Sequence, residues 1–205
     1  SLLGFHDFVE LQNEECDLYD SDKDSVVVSK DTILIFRRNS SLMLKSELYL
    51  KEGKLDGSYK LWNENGKLIK EKNRKNGIQY ELNRWYENGK LRSEEIYKDG
   101  IFYESRKSWY DNGKLRSEEN YKDGKKDGLW KKWYENGKLK IEKNYVKGKL
   151  EGLWKKWYEN GQLKEEVNFK DGKKDGLLKT WYENGQLKYE TNYIKGKPNG
   201  ISKTW

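Results

Sequence analysis

The sequence predicts an all-β protein, an elongated antiparallel β-hairpin repeat array with a period near 24 residues and an irregular N-terminal β cap. Three observations carry that expectation. The phrase Trp133-Tyr134-Glu135-Asn136-Gly137-Lys138 recurs, with small variations, from Trp62, Trp85, Trp109, Trp157 and Trp181, and Trp205 starts a further copy. The steps between these tryptophans are 23, 24, 24, 24, 24 and 24 residues, so spacing and residue type repeat together. Each complete copy holds Asn-Gly, a pair suited to the two positive φ angles of a type I′ turn, and a second pair of that kind, Asp123-Gly124, lies between copies.

Taken in order, residues 1–43 read as an acidic cap with short strands and residues 44–205 as the array. Val26-Val27-Val28 is expected as one strand and Ile33-Leu34-Ile35-Phe36 as the next. Residues 31–53 align with later units as a degenerate zeroth repeat, because Leu44 to Leu50 followed by Gly53 parallels Leu91 to Tyr97 followed by Gly100. An atypical end unit is what a repeat array needs to cover its first member. If Asn136-Gly137 is a two-residue turn, Glu135 opposes Lys138, Tyr134 opposes Leu139, Trp133 opposes Lys140 and Lys131 opposes Glu142. One face of the repeat then carries Tyr121, Gly128, Trp130, Tyr134, Leu139 and Ile141, with the Tyr121 ring over Gly128, and is expected to be the inner one. The other face carries Lys131, Trp133, Lys140 and Glu142. The Lys–Glu pair recurs as Lys60–Glu71, Lys107–Glu118, Lys155–Glu166 and Lys179–Glu190, with Asn83 opposite Glu94. Each exposed pair is expected to contribute only about 0.2–1 kcal/mol. The second repeat is a residue short, and Tyr80 and Glu104 stand where later repeats have Gly128, Gly152 and Gly176, so local distortion is expected there.

Composition narrows the class further. Hydrophobic residues make up 34%, charged residues 38% and aromatics 14% of the 205 residues. So little apolar content with so much charge resembles a disordered chain, but nine tryptophans and fifteen tyrosines argue for order. Small local units held by aromatic contacts reconcile the two. No apolar run approaches the roughly 20 residues of a membrane span. The first residues show neither a basic nor an apolar leader region, so a cytoplasmic location is favoured, with secretion the alternative if a signal peptide was removed. The net charge of +7 is uneven, because residues 1–31 hold nine acids and two lysines. An acidic head and a basic body imply different partners.

The phrase Trp-Tyr-Glu-Asn-Gly-[Lys/Gln]-Leu, followed by Tyr-Lys-Asp-Gly-Lys-Lys-Asp-Gly-Leu-Trp-Lys, resembles the bacterial variant of the MORN repeat (membrane occupation and recognition nexus). The likeness covers about residues 44–205 and is strongest from 109 to 200. The resemblance implies stacked hairpins, no shared catalytic site and, for bacterial members, an antitoxin-like label. The related eukaryotic repeats act as scaffolds and are linked to acidic lipids.

Catalysis and metal binding find little support in the residues. One histidine (His6) and one cysteine (Cys16) exclude a multi-histidine site, a disulfide framework and a thiolate cluster. Cys16 is flanked by Glu14, Glu15 and Asp17, which keep a thiol protonated. Asp20, Asp22 and Asp24 have calcium-loop spacing but lack the loop glycine and the closing glutamate. The paired glycines precede no helix, so they read as turns and not as phosphate loops. No enzyme activity, cofactor or metal is expected.

The aromatic ladder is the stronger candidate. Trp85, Trp109, Trp133, Trp157 and Trp181 are expected to face Arg92, Arg116, Lys140, Lys164 and Lys188 across their hairpins. Packing of cations on rings explains such a ladder structurally, and a protein-binding stripe of the same residues is its functional counterpart. The expected function is a non-enzymatic scaffold that binds and masks a protein partner such as a toxin or effector. Seven hairpins give a surface about 65–70 Å long, and Asp17, Asp20, Asp22 and Asp24 of the head could cover a basic site. Glycan or cell-wall binding through the aromatics is the alternative. Nucleic acid or an anionic membrane ranks lower, because twenty-six acids are scattered among the forty cations of residues 32–205.

Overall fold

The computed structural model describes residues 24–28, 31–37, 43–52, 54–100 and 102–205. His6, Cys16, Asp17, Asp20 and Asp22 lie outside them; Asp24 opens the first strand, opposite Arg37. No helix occurs among the described residues, and the expectation of an all-β hairpin meander holds. The chain divides into two units between Gly100 and Ile101.

The first unit contains β1 (Asp24–Val28), β2 (Thr32–Arg37), β3 (Met43–Lys51), β4 (Lys54–Trp62), β5 (Leu68–Lys75), β6 (Ile78–Trp85) and β7 (Leu91–Lys98), each paired antiparallel with the next. The β2–β3 hairpin has the same offset pair, Phe36 with Leu44, that Trp62 and Leu68 make in the next one. The second unit holds β8 (Phe102–Trp109), β9 (Leu115–Lys122), β10 (Lys125–Trp133), β11 (Leu139–Val146), β12 (Lys149–Leu150), β13 (Gly152–Trp157), β14 (Leu163–Lys170), β15 (Lys173–Trp181), β16 (Leu187–Ile194), β17 (Lys197–Pro198) and β18 (Lys203–Thr204). Here too successive strands pair antiparallel, the short β12 and β17 sharing their partners with β13 and β18.

Two kinds of turn alternate. Asp123 and Gly124 both have positive φ, 49° and 73°, and Lys122 pairs with Lys125, so this is the expected two-residue type I′ turn. The Asn-Gly turn is different. Asn136 does not have positive φ, Gly137 has φ 90°, the Gly137 N–H donates to the Tyr134 carbonyl at 2.9 Å and the Tyr134 N–H to the Lys138 carbonyl at 2.8 Å. That is a three-residue loop, a type I turn followed by a left-handed glycine. Trp133 therefore pairs with Leu139 and not with Lys140, and Tyr134 and Lys138 flank the loop. Lys140 bulges out, which restores the expected pairing from Lys132–Ile141 onward, including Lys131–Glu142.

A second bulge lies between repeats. Lys126 pairs with Tyr121, but Trp130 pairs with Glu119, leaving Asp127, Gly128 and Leu129 against Asn120 alone. Gly128 has φ 91°, and a Cβ there would meet Asn120 Cβ at 3.6 Å. The glycine serves backbone conformation, not a Tyr121 ring lying over it; its partner across the hairpin is Tyr145. In the short repeat the bulge has only one extra residue, Tyr80, between the pairs Asn73–Glu81 and Arg74–Gln79. Tyr80 and Glu104 both avoid positive φ, so neither position needs glycine.

Within each unit, the buried side chains among the described residues lie on one face of the strands. In the first unit Ile33, Ile35, Leu48, Leu50, Leu55 and Tyr59 form the core, with Val26 and Leu61 packed against it. In the second unit the buried face holds Trp130, Val167, Leu178 and Thr191.

Candidate functional site

The Trp–cation ladder does not form as the two-residue turn required. The cations lie over the neighbouring tyrosines: Arg92 over Tyr86 at 5.8 Å, Arg116 over Tyr110 at 5.9 Å, Lys140 over Tyr134 at 4.9 Å, Lys164 over Tyr158 at 4.8 Å and Lys188 over Tyr182 at 5.3 Å. The cause is the third loop residue, which moves every pairing between Trp133 and Lys140 by one. Trp85, Trp109, Trp133, Trp157 and Trp181 are all half-buried.

The repeated phrase is instead occupied in joining repeats. The Tyr134 hydroxyl donates to the Trp157 carbonyl at 2.8 Å, Asn136 Nδ2 to the Glu159 carbonyl at 3.0 Å and Lys138 Nζ to the Asn160 carbonyl at 2.6 Å. Tyr110, Asn112 and Lys114 make the same three bonds one repeat earlier. The Asn136 Oδ1 also accepts the Lys138 N–H at 2.9 Å, closing its own loop. Gly137 has a second duty, since a Cβ would sit 3.3 Å from Lys114 Cδ, whose stem crosses it. The type I′ turns are braced similarly. Non-glycine Lys147 at φ 49° donates its N–H to Asp127 Oδ2 at 3.0 Å.

The expected ion-pair ladder forms on the outer face: Lys60–Glu71 at 3.9 Å, Lys107–Glu118 at 3.4 Å, Lys131–Glu142 at 3.0 Å, Lys155–Glu166 at 3.3 Å and Lys179–Glu190 at 3.5 Å. Asn83 stands opposite Glu94 as anticipated.

Two surface features escaped the sequence reading. The first is a lysine cluster on the inner face of the second unit. Lys132, Lys126 and Lys143 hold their ammonium groups 4.7, 5.0 and 5.0 Å from the centre of the Trp130 ring. Lys143 also lies 5.7 Å from the Trp154 ring. Burial pushes the Lys143 pKa below its ordinary value, and the like charges of Lys126, Lys132 and Lys156 push it further. The second is apolar. Leu129, Leu153 and Leu177, each one residue before an inner-face position, are exposed on the outer face. The leucines recur at 24 residues and were in principle readable from the sequence, whereas the lysine cluster does not repeat and depends on which strands lie side by side.

Among the described residues no three His, Cys, Asp or Glu side chains come together as a metal site. No helix among them is long and apolar enough to cross a membrane.

No curated protein matches the chain. Among solved structures, the crystal structure of TarM has a TM-score of 0.39 at 9% identity over 58% of this chain and 23% of its own. The crystal structure of accessory secretory protein 1, 2 and 3 in Streptococcus pneumoniae has a TM-score of 0.26 at 17% identity over 61% of this chain and 20% of its own. The chain thus spans no more than about a quarter of either, at 23% and 20%. The MORN repeat variant model matches residues 55–76, 81–99, 105–123, 126–147, 150–171 and 174–195. Those six segments cover more than half of the sequence and coincide with the hairpins, so the chain belongs to the MORN repeat variant family and is built as a repeat scaffold.

Proposed function

We propose that the chain is a non-catalytic scaffold that docks and masks a protein partner, in the manner of an antitoxin or inhibitor. The observation that supports this reading is the leucine stripe. Leu129, Leu153 and Leu177 are 47%, 45% and 43% exposed, and Ile201, in the corresponding place of the next repeat, is 85% exposed. Across the hairpin the three leucines face Asn144, Asn168 and Asn192, polar residues that leave them half-exposed. Equivalent positions lie two strands apart, about 9–10 Å, so one partner surface can meet several. Covering a half-exposed leucine stabilises a complex by roughly 1 kcal/mol, and a contiguous apolar patch on a charged surface marks an interaction site. The Tyr, Asn and Lys side chains of the repeated phrase support this surface by fixing the repeat spacing.

The test is affinity purification of the chain from its native lysate, with one arm treated with nuclease. A stoichiometric protein is expected, retained after nuclease and lost when Leu129, Leu153 and Leu177 are all changed to Glu, with the melting temperature unchanged. Recovery of nucleic acid or cell-wall material without protein would refute the reading.

A further inference from the structure

The two faces of the second unit treat lysine differently. On the outer face Lys107, Lys131, Lys155 and Lys179 each meet a glutamate across the strand pair, at 3.0 to 3.5 Å. On the inner face Lys126, Lys132, Lys143 and Lys156 have no ion pair with any described residue. Their neighbours are rings and one another: three crowd Trp130, Lys126 also lies 5.3 Å from the Tyr145 ring, and Lys143 bridges toward Trp154. Among the described residues three acids share this face: Glu104, exposed on β8; Glu119, opposite Trp130, which accepts the Tyr121 hydroxyl; and Glu165, which pairs in register with Lys156 without an ion pair to it. The fold therefore assembles positive charge on this face and leaves it uncompensated, at the cost shown by the lowered Lys143 pKa.

We infer that this face, around Trp130, Lys132, Lys143 and Lys156, is a docking site for an extended acidic segment of a protein partner. The inference rests on the reading of the chain as a protein-binding scaffold and names the chemistry of one contact.

The arrangement decides among anions. Lys132 on β10 and Lys156 on β13 are both register partners of Ile141 on β11, and Lys143 lies on the next row. The lysines thus cross three neighbouring strands, about 10 Å in all. A single compact anion meets only part of that span, whereas carboxylates on one side of an extended chain repeat every 6.5–7 Å or so and can follow it. Stacking ligands are disfavoured, because Trp130 is only 9% exposed and its ring is covered by lysine heads. The cluster holds no arginine, so it recognises charge density and not the planar geometry of one carboxylate.

The experiment is fluorescence anisotropy of a fluorescein-labelled hexaglutamate peptide titrated with the full chain, alongside thermal melting of each variant. Saturable binding that weakens with added salt is expected. Lys132→Gln with Lys143→Met should weaken it by roughly tenfold or more. The outer-face pair Lys131→Gln with Lys155→Gln removes the same charge and should leave it within about twofold. Lys143→Met alone should raise the melting temperature while weakening binding, because it removes a half-buried, unpaired charge and keeps an apolar stem on Trp130. Absence of saturable binding, equal weakening by the two double variants, or a lowered melting temperature for Lys143→Met would each overturn the inference. None of these results touches the leucine-stripe reading, which partner capture tests separately.

Discussion

Replacing Asn136 by Asp separates what the asparagine does for its own loop from what it does for the next repeat. In the native chain Oδ1 accepts the Lys138 N–H at 2.9 Å and Nδ2 donates to the Glu159 carbonyl at 3.0 Å. Aspartate keeps the first bond, deletes the second and sets a carboxylate oxygen against the Glu159 carbonyl. Loss of one such bond is worth about 0.5–1.5 kcal/mol and the repulsion adds to it, so the expected cost is about 1–2 kcal/mol. Asn184 supplies the control. Its Oδ1 accepts the Gln186 N–H at 3.0 Å, but its Nδ2 approaches Gln186 Oε1 at 3.4 Å and reaches no following repeat. Asn184→Asp should therefore stay within about 0.5 kcal/mol of the parent. The assay is urea unfolding followed by far-ultraviolet circular dichroism, with a thermal melt in parallel; a chain of this size shifts by about 2–4 °C per kcal/mol. Equal losses for the two substitutions would refute the inter-repeat bond as the source of the effect.

Two further outcomes follow from the turns and from the inner face. Lys147 adopts φ 49° in a type I′ turn, a conformation Asn enters more easily, so Lys147→Asn should stabilise the chain by about 0.5–1 kcal/mol, read as a higher urea midpoint. A lower midpoint would show that the lysine side chain supports the turn. The Tyr121 hydroxyl is held above its ordinary pKa of 10.0 by burial and by its hydrogen bond to Glu119, so the folded state retains a proton that the unfolded chain releases. Its contribution is fully present below pH 10 and is lost as pH rises beyond it. Stability measured across that range should fall less steeply for Tyr121→Phe than for the parent, and parallel profiles would contradict the assignment.

The strand order, the repeat period and the Lys–Glu ladder were legible because they depend on alternation, which survives local errors. The Asn-Gly loop was not, since that pair suits both a two-residue type I′ turn and a type I turn with a left-handed glycine. The added loop residue and the Lys140 bulge offset each other, so Lys131 still meets Glu142 while Trp133 loses Lys140. The misreading was thereby confined to the stretch on which the Trp–cation ladder depended. The Gly128 bulge displaces the pairing by two residues, which preserves facing, so Trp130 was placed correctly on the buried side. The lysine cluster stayed hidden because its meaning lies in missing glutamates, visible only when both neighbouring strands are in register.

The bonds that join one repeated phrase to the next have a consequence for how such a chain can change length. Each donor is a side chain, and each acceptor in the following repeat is a main-chain carbonyl, at Trp157, Glu159 and Asn160 for the loop at 134–138. A repeat thus recognises the shape of its successor and not its side chains. Gene duplication or loss in whole units preserves every such joint, and a copy can drift in sequence without disturbing the one before it. Asn63, standing where later repeats have tyrosine, illustrates that freedom: it turns inward, accepting the Asn65 and Lys67 N–H groups at 2.9 and 3.0 Å, while its loop keeps the common backbone form.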